Sequence, residues 1–176
     1  MWSAVFRECR TPGPIGVLVN PRNPAANLQL RELQEAAGVI KRQIDIVRAS
    51  TALEIGTNFT IAAQQGAAAL LVVQDPFYNS RREQLVALAA HHKQPVFYPL
   101  REFAEIGGLV SYGHNLVDEY RQMGVYAGRI LKGEKPADLP VVQPTKFEFV
   151  INLKTAKTLG LTVLPHLLAI VDAVIE

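Results

Sequence analysis

The chain has a single cysteine, Cys9, among 176 residues. One thiol excludes an internal disulfide and any zinc site built from several thiolates. An excess of one charge is also missing: 18 Lys and Arg face 16 Asp and Glu, for a net charge of +2. That balance is far from the basic surplus of a nucleic-acid binder, so no nucleic-acid partner is expected. The longest purely apolar run, from Ala67 to Val73, is much shorter than the roughly 20 residues that cross a bilayer. No basic start leads into a long apolar region, so no signal peptide is visible. Neither G-x-x-x-x-G-K-[ST] nor G-x-G-x-x-G occurs, and no cofactor is expected. What is present is 49% hydrophobic and 19% charged, sufficient for a substantial core in one domain or one and a half.

From 14 to 111, short β-branched runs alternate with segments of helical period, which predicts a doubly wound, mostly parallel α/β sheet. The strands are read at Ile15–Val19, around Ile44–Val47, at Ala69–Val73, at Val96–Tyr98 and at Leu109–Ser111. Thr51 with Glu54, and Ser80 with Glu83, have capping-box spacing. Beyond 111 a helical segment is expected. Asn115 caps a helix that carries Val117, Tyr120, Met123, Ala127, Ile130 and Leu131 on one face, and Gly133 ends it. Phe147–Ile151 alternates like a strand, Asn152 caps a short helix, and a last helix is expected from Pro165 to the terminus.

Ligands of an open α/β sheet bind beyond the carboxyl ends of its strands. Those ends carry Asn20 and Asn23, then Ala49 and Ser50, then Gln74, Asp75, Phe77 and Tyr78, then Arg101 and Glu102. A carboxylate beside two rings suits a small zwitterionic or aromatic molecule. An enzyme would need Asp75 and Glu102 to act as a pair, and neither has a histidine nearby in sequence. His91 and His92 are neighbours on a helix and diverge by about 100°, so they cannot share a metal. His114 is read as a loop residue, and His166 opens the last helix. Arg81 and Arg82 fall in the first turn of a helix, where their charge opposes the dipole. That placement fits contact with an anion or a partner, beside the commoner reading of a solvated arginine.

Five stretches carry a resemblance: IGVLVNPRNP from Ile15, ALLVVQDPFYNSRREQLVAL from Ala69, GGLVSYG from Gly107, ILKGEKPADLP from Ile130 and PTKFEFVINLKTAKTLGL from Pro144. Together they resemble the substrate-binding proteins of ABC transporters, of the tryptophan/tyrosine type with the type I periplasmic-binding fold. The resemblance implies two α/β lobes that close on a solute and deliver it to an ABC permease without catalysis. It implies a periplasmic or membrane-associated location. It also implies that the first lobe is absent here, with 1–13 the remnant of a preceding segment and 14–111 the second lobe. On this layout 112–176 is a C-terminal segment with a helix, a hinge-crossing strand and terminal helices. Carried over by position, Asn20 and Asn23 face the cleft, Asp75 meets a ligand's amino group, and Phe77 and Tyr78 pack on its side chain. Arg101 and Glu102 belong to the loop after the fourth strand. The family's ligands include aromatic amino acids.

With its first lobe absent, the helix 115–132 is expected to bury its apolar face against its own sheet or against a second copy, giving a homo-oligomer. Two other readings stand beside this one. The first is a cytosolic small-molecule sensor or regulatory module that keeps one lobe. The second is a small doubly wound enzyme.

Overall fold

The computed structural model describes residues 13–176; the expected remnant segment, with Cys9, lies outside the described residues except for Gly13. The first unit runs β1 (Ile15–Val19), α1 (Ala26–Val39), β2 (Ile44–Arg48), α2 (Ala52–Gln64) and β3 (Ala69–Val72). It continues through α3 (Pro76–Ser80), α4 (Arg82–His91), β4 (Val96–Tyr98), α5 (Arg101–Glu105) and β5 (Val110–His114). The chain ends with α6 (Leu116–Leu131), β6 (Phe147–Asn152), α7 (Leu153–Thr158), α8 (Pro165–Leu168) and β7 (Ala173–Ile175). Seven strands form one sheet in the order β2-β1-β3-β4-β5-β6-β7. The first five are parallel, β6 is antiparallel to β5, and β7 is parallel to β6.

Burial follows from that order. All residues of β1, β3 and β4 are buried, because helices cover both faces of a central parallel strand. The outer strand β2 is only half-buried. Phe59, Phe103, Leu70, Leu85 and Ile55 fill the core from several elements, each contributing roughly 1.5–3 kcal/mol by burial. The C-terminal part is not a separate layer, since β6 and β7 extend the same sheet.

Several local expectations need correction. The chain after Pro165 makes a helix of only 4 residues and then the strand β7, because pairing with β6 outweighs the local helical pattern. The second capping box does not form: α4 starts at Arg82 without a side-chain cap, and Ser80 instead donates to the Phe77 carbonyl at 2.7 Å. In the first box, Thr51 accepts from the Glu54 amide, but the Glu54 carboxylate reaches one residue further back, to the amide and hydroxyl of Ser50. His114 ends β5 rather than lying in a loop, 3.3 Å from the Glu119 carboxylate.

Helix α6 keeps its expected cap, as Asn115 accepts from the Asp118 amide at 2.7 Å. No residue of this helix is buried. Val117, Tyr120, Met123 and Leu131 all point their apolar surface outward, so the helix does not fold back on its own sheet.

Candidate functional site

The strand order reverses at β1. The chain leaves β1 for β2 on one side, then returns past it to build β3, β4 and β5 on the other. Such a reversal opens a crevice beyond the carboxyl ends of the two strands that flank it, here β1 and β3.

Asp75 lies buried just beyond the end of β3, at that reversal. It is the extended N-cap of α3, with Pro76 at the first helical position, and its Oδ1 accepts from the amides of Phe77 at 2.8 Å and Tyr78 at 3.3 Å. Asn23 Nδ2 donates to Asp75 Oδ2 at 2.7 Å, and Asn20 Nδ2 lies 3.3 Å from both carboxylate oxygens. Each asparagine also folds its own loop: Asn20 Oδ1 accepts from the Arg22 amide at 3.0 Å and Asn23 Oδ1 from the Ala25 amide at 2.9 Å. The result is a knot in which one carboxylate with 1% exposure satisfies four donors. It leaves no open surface for a ligand's ammonium.

Tyr78 extends the knot sideways. Its ring is fully buried and its hydroxyl donates to the Ala49 carbonyl, just beyond β2, at 2.7 Å. Burial first, and the nearby Asp75 charge second, push its phenol well above the ordinary tyrosine range, so it stays a neutral donor. The loops after β1, β2 and β3 are thus tied together through Asp75 and Tyr78. Phe77 is the ring left partly open, and the Arg81 guanidinium lies over it, 5.9 Å from the ring centre.

Arg101 and Glu102 lie elsewhere on the same sheet edge, at the start of α5. Arg101 bonds Glu105 at 2.9 Å and Glu148 on β6 at 3.1 Å. Glu102 Oε2 is buried without a hydrogen-bond partner among the described residues. None of the four donors on Asp75 links it to Glu102, so the pair an enzyme would need is not joined at this site. Among the described residues no group of three or more His, Cys, Asp and Glu could hold a metal ion, and no helix is long and apolar enough to cross a membrane.

A groove of about 310 Å³ opens on the α1 side, between Leu33, Leu71, Gln74, Tyr112 and Phe147. A hollow of about 260 Å³ lies beside the edge strand β2, between Asp45, Arg48, Asn58 and Gln65. None of the seven expected site residues lines either one. The structure therefore brings Asn20, Asn23, Asp75, Phe77 and Tyr78 together and leaves Arg101 and Glu102 apart. Sequence reasoning missed that Asp75 is a helix cap, although Asp-Pro at a helix start is the signal for one.

Residues 11–175 match the family described as ABC transporter substrate binding protein. No curated protein matches the chain. An ABC domain in complex with L-Trp from Streptococcus pneumoniae superposes with a TM-score of 0.89 at 25% identity, covering 98% of this chain and 60% of that one. A conserved domain protein from Vibrio cholerae gives 0.86 at 24% identity, over 97% of this chain and 58% of that one. A ligand-free, open substrate binding protein with adhesive properties from Clostridium difficile gives 0.69 at 21%, over 98% and 57%. The last two show the fold alone, and this chain spans no more than 60% of the length of any of the three. The sheet order, the crevice at its reversal and the family match agree: the chain belongs to the ABC transporter substrate-binding protein family.

Proposed function

We propose that this chain supplies one jaw of a solute trap serving an ABC importer, with the crevice between the ends of β1 and β3 as the solute-facing edge. The observation that carries the reading is the Asn20–Asp75–Asn23 knot at the reversal of strand order. It joins the loops after β1 and β3, and the Tyr78–Ala49 bond adds the loop after β2, where ligands of such folds bind. In this reading Asn20, Asn23, Asp75 and Tyr78 shape the jaw, Phe77 offers it an aromatic wall, and Arg101 and Glu102 flank it from α5. Residues 14–111 make the jaw itself, β6 crosses toward a hinge, and the open face of α6 is where an opposing lobe docks. The solute is an amino acid, aromatic in the tryptophan/tyrosine manner. The L-Trp complex with which the chain superposes supports that choice. A permease of the importer is then the downstream partner, and no catalysis is involved.

One jaw makes about half the contacts of a closed trap. If a complete trap binds at about micromolar, one jaw alone binds at about millimolar. Titrating the isotope-labelled chain with L-tryptophan, followed by NMR, tests this. Fast-exchange shifts confined to 20–25, 49–51 and 74–81, saturating at about millimolar concentration, are expected. Submicromolar binding, or the absence of shifts in those segments at saturating solute, would overturn the reading.

A further inference from the structure

We infer that α6, in the chain by itself, packs antiparallel on α6 of a second copy, across a two-fold axis at Gly124. The inference goes beyond the solute-trap reading, which gives this face to an opposing lobe, and does not depend on it.

The helix covers its polar side and leaves its apolar side open. Asp118, Gln122, Tyr126 and Arg129 are half-buried. The Tyr126 hydroxyl donates to the Pro140 carbonyl at 2.7 Å, and Arg129 bonds Glu134 at 2.7 Å. Both partners belong to the connector between α6 and β6, so the connector occupies the polar side. The other side carries Val117, Tyr120, Gly124, Ala127 and Leu131, separated by three and four residues in turn. That spacing is the seam of paired helices. Val117 is 73% exposed, Tyr120 68% and Leu131 88%, and Met123 borders them in the open. An open seam of this kind, beside a polar side already in use, fits a partner that is itself a helix.

Shape and charge select a second copy as that helix. A two-fold axis at Gly124 reverses the order of residues across the seam. Val117 then faces Leu131 of the second copy, and the large Tyr120 ring faces Gly128, where there is room for it. A β-carbon at Gly124 or at Gly128 would meet nothing within 4 Å in the chain. The chain's own packing therefore requires neither glycine, although each weakens a helix by about 1 kcal/mol relative to alanine; close approach of a second helix gives both a use. The charges obey the same axis. Asp118 and Glu119 lie in the first turn, Arg129 lies in the last, and Lys132 follows it. Lys132 is exposed and has no ion pair among the described residues. Antiparallel pairing sets it beside Asp118 of the second copy at both ends and opposes the two helix dipoles. A parallel pair would set acid beside acid and base beside base. An isologous contact of this kind closes at two copies.

Single cysteines on the seam of the full chain, with Cys9→Ser throughout, test the pairing and its direction. A disulfide needs α-carbons within about 7 Å. Under mild oxidant Gly124→Cys is expected to cross-link with itself. Val117→Cys and Leu131→Cys are expected to cross-link with each other when mixed, and neither with itself. Light scattering of the Cys9→Ser parent should show the mass of two chains and no more. Lys132→Glu, which sets like charges together at both ends, should weaken the dimer about tenfold. All four substituted positions are on the open or solvated surface, so an unchanged circular dichroism spectrum verifies each fold. Self-cross-linking of Val117→Cys or Leu131→Cys, larger assemblies, or a monomer up to about 1 mM would overturn the inference. If the chain stays monomeric while L-tryptophan shifts segments 20–25 and 74–81, the inference falls alone and the solute trap stands. If it pairs as described and L-tryptophan shifts nothing, the trap falls and the inference stands.

Discussion

The side-chain amide of Asn23 donates to the carboxylate of Asp75 over 2.7 Å, and that one bond joins the loop after β1 to the loop after β3. Because Asp75 also caps α3, the contact couples loop shape to helix formation. Asp75→Ala removes a cap worth about 1 kcal/mol and strands the buried Asn20 amide at a further cost of about 1–3 kcal/mol. Urea unfolding is expected to show a loss of about 2–4 kcal/mol from these two terms. A loss below about 0.5 kcal/mol would mean that the knot does not hold the loops.

Tyr78 and Tyr98 are both fully buried, yet their hydroxyls have different surroundings. That of Tyr78 bonds the Ala49 carbonyl, whereas that of Tyr98 has no hydrogen-bond partner among the described residues. Tyr78→Phe should therefore cost about 1 kcal/mol and Tyr98→Phe should be neutral or stabilising by about the same amount. The stacking of residue 98 on Phe103 survives that change. Thermal unfolding should show a lower midpoint for Tyr78→Phe and an unchanged or higher one for Tyr98→Phe.

The same two phenols set an alkaline limit. Burial raises both far above the ordinary tyrosine value. The unfolded chain then releases protons that the folded chain retains, so stability is complete below about pH 10 and falls as pH rises beyond it. Two such groups give a slope of up to about 2.7 kcal/mol per pH unit. Denaturation midpoints measured from pH 8 to pH 11 check this, and Tyr98→Phe should reduce the slope.

Gly113 lies in β5 where a β-carbon would fall on the Pro99 carbonyl, a backbone atom that cannot swing aside. Gly113→Ala should cost about 3 kcal/mol or more. Gly124 in α6 meets nothing within 4 Å, so Gly124→Ala should stabilise the helix by up to about 1 kcal/mol. Urea midpoints moving in opposite directions are expected.

The uncovered face of α6 predicts association. Light scattering after size exclusion should show mass rising with concentration, and Tyr120→Lys with Leu131→Lys should restore a monomer without loss of stability. A monomer at all concentrations would show that this face tolerates water.

Much of the architecture was legible because buried parallel strands such as Ala69–Val72 are apolar on both faces and stand out from their neighbours. The strand β7 was not, since three residues after a helical run acquire strand character only by pairing with β6. The candidate site divided in the same way. Loop position brought Asn20, Asn23, Asp75, Phe77 and Tyr78 forward. It could not show that Asp75 faces inward or that Arg101 turns toward Glu148, because both depend on contacts 47 or more residues apart in the chain.

The bond from Tyr78 to Ala49 bears on kinetics as well as shape. On the solute-trap reading, a rim whose loops are already pinned needs no rearrangement when a solute arrives. Encounter on this side is then limited by diffusion and orientation, and differences between solutes appear in how long each one stays.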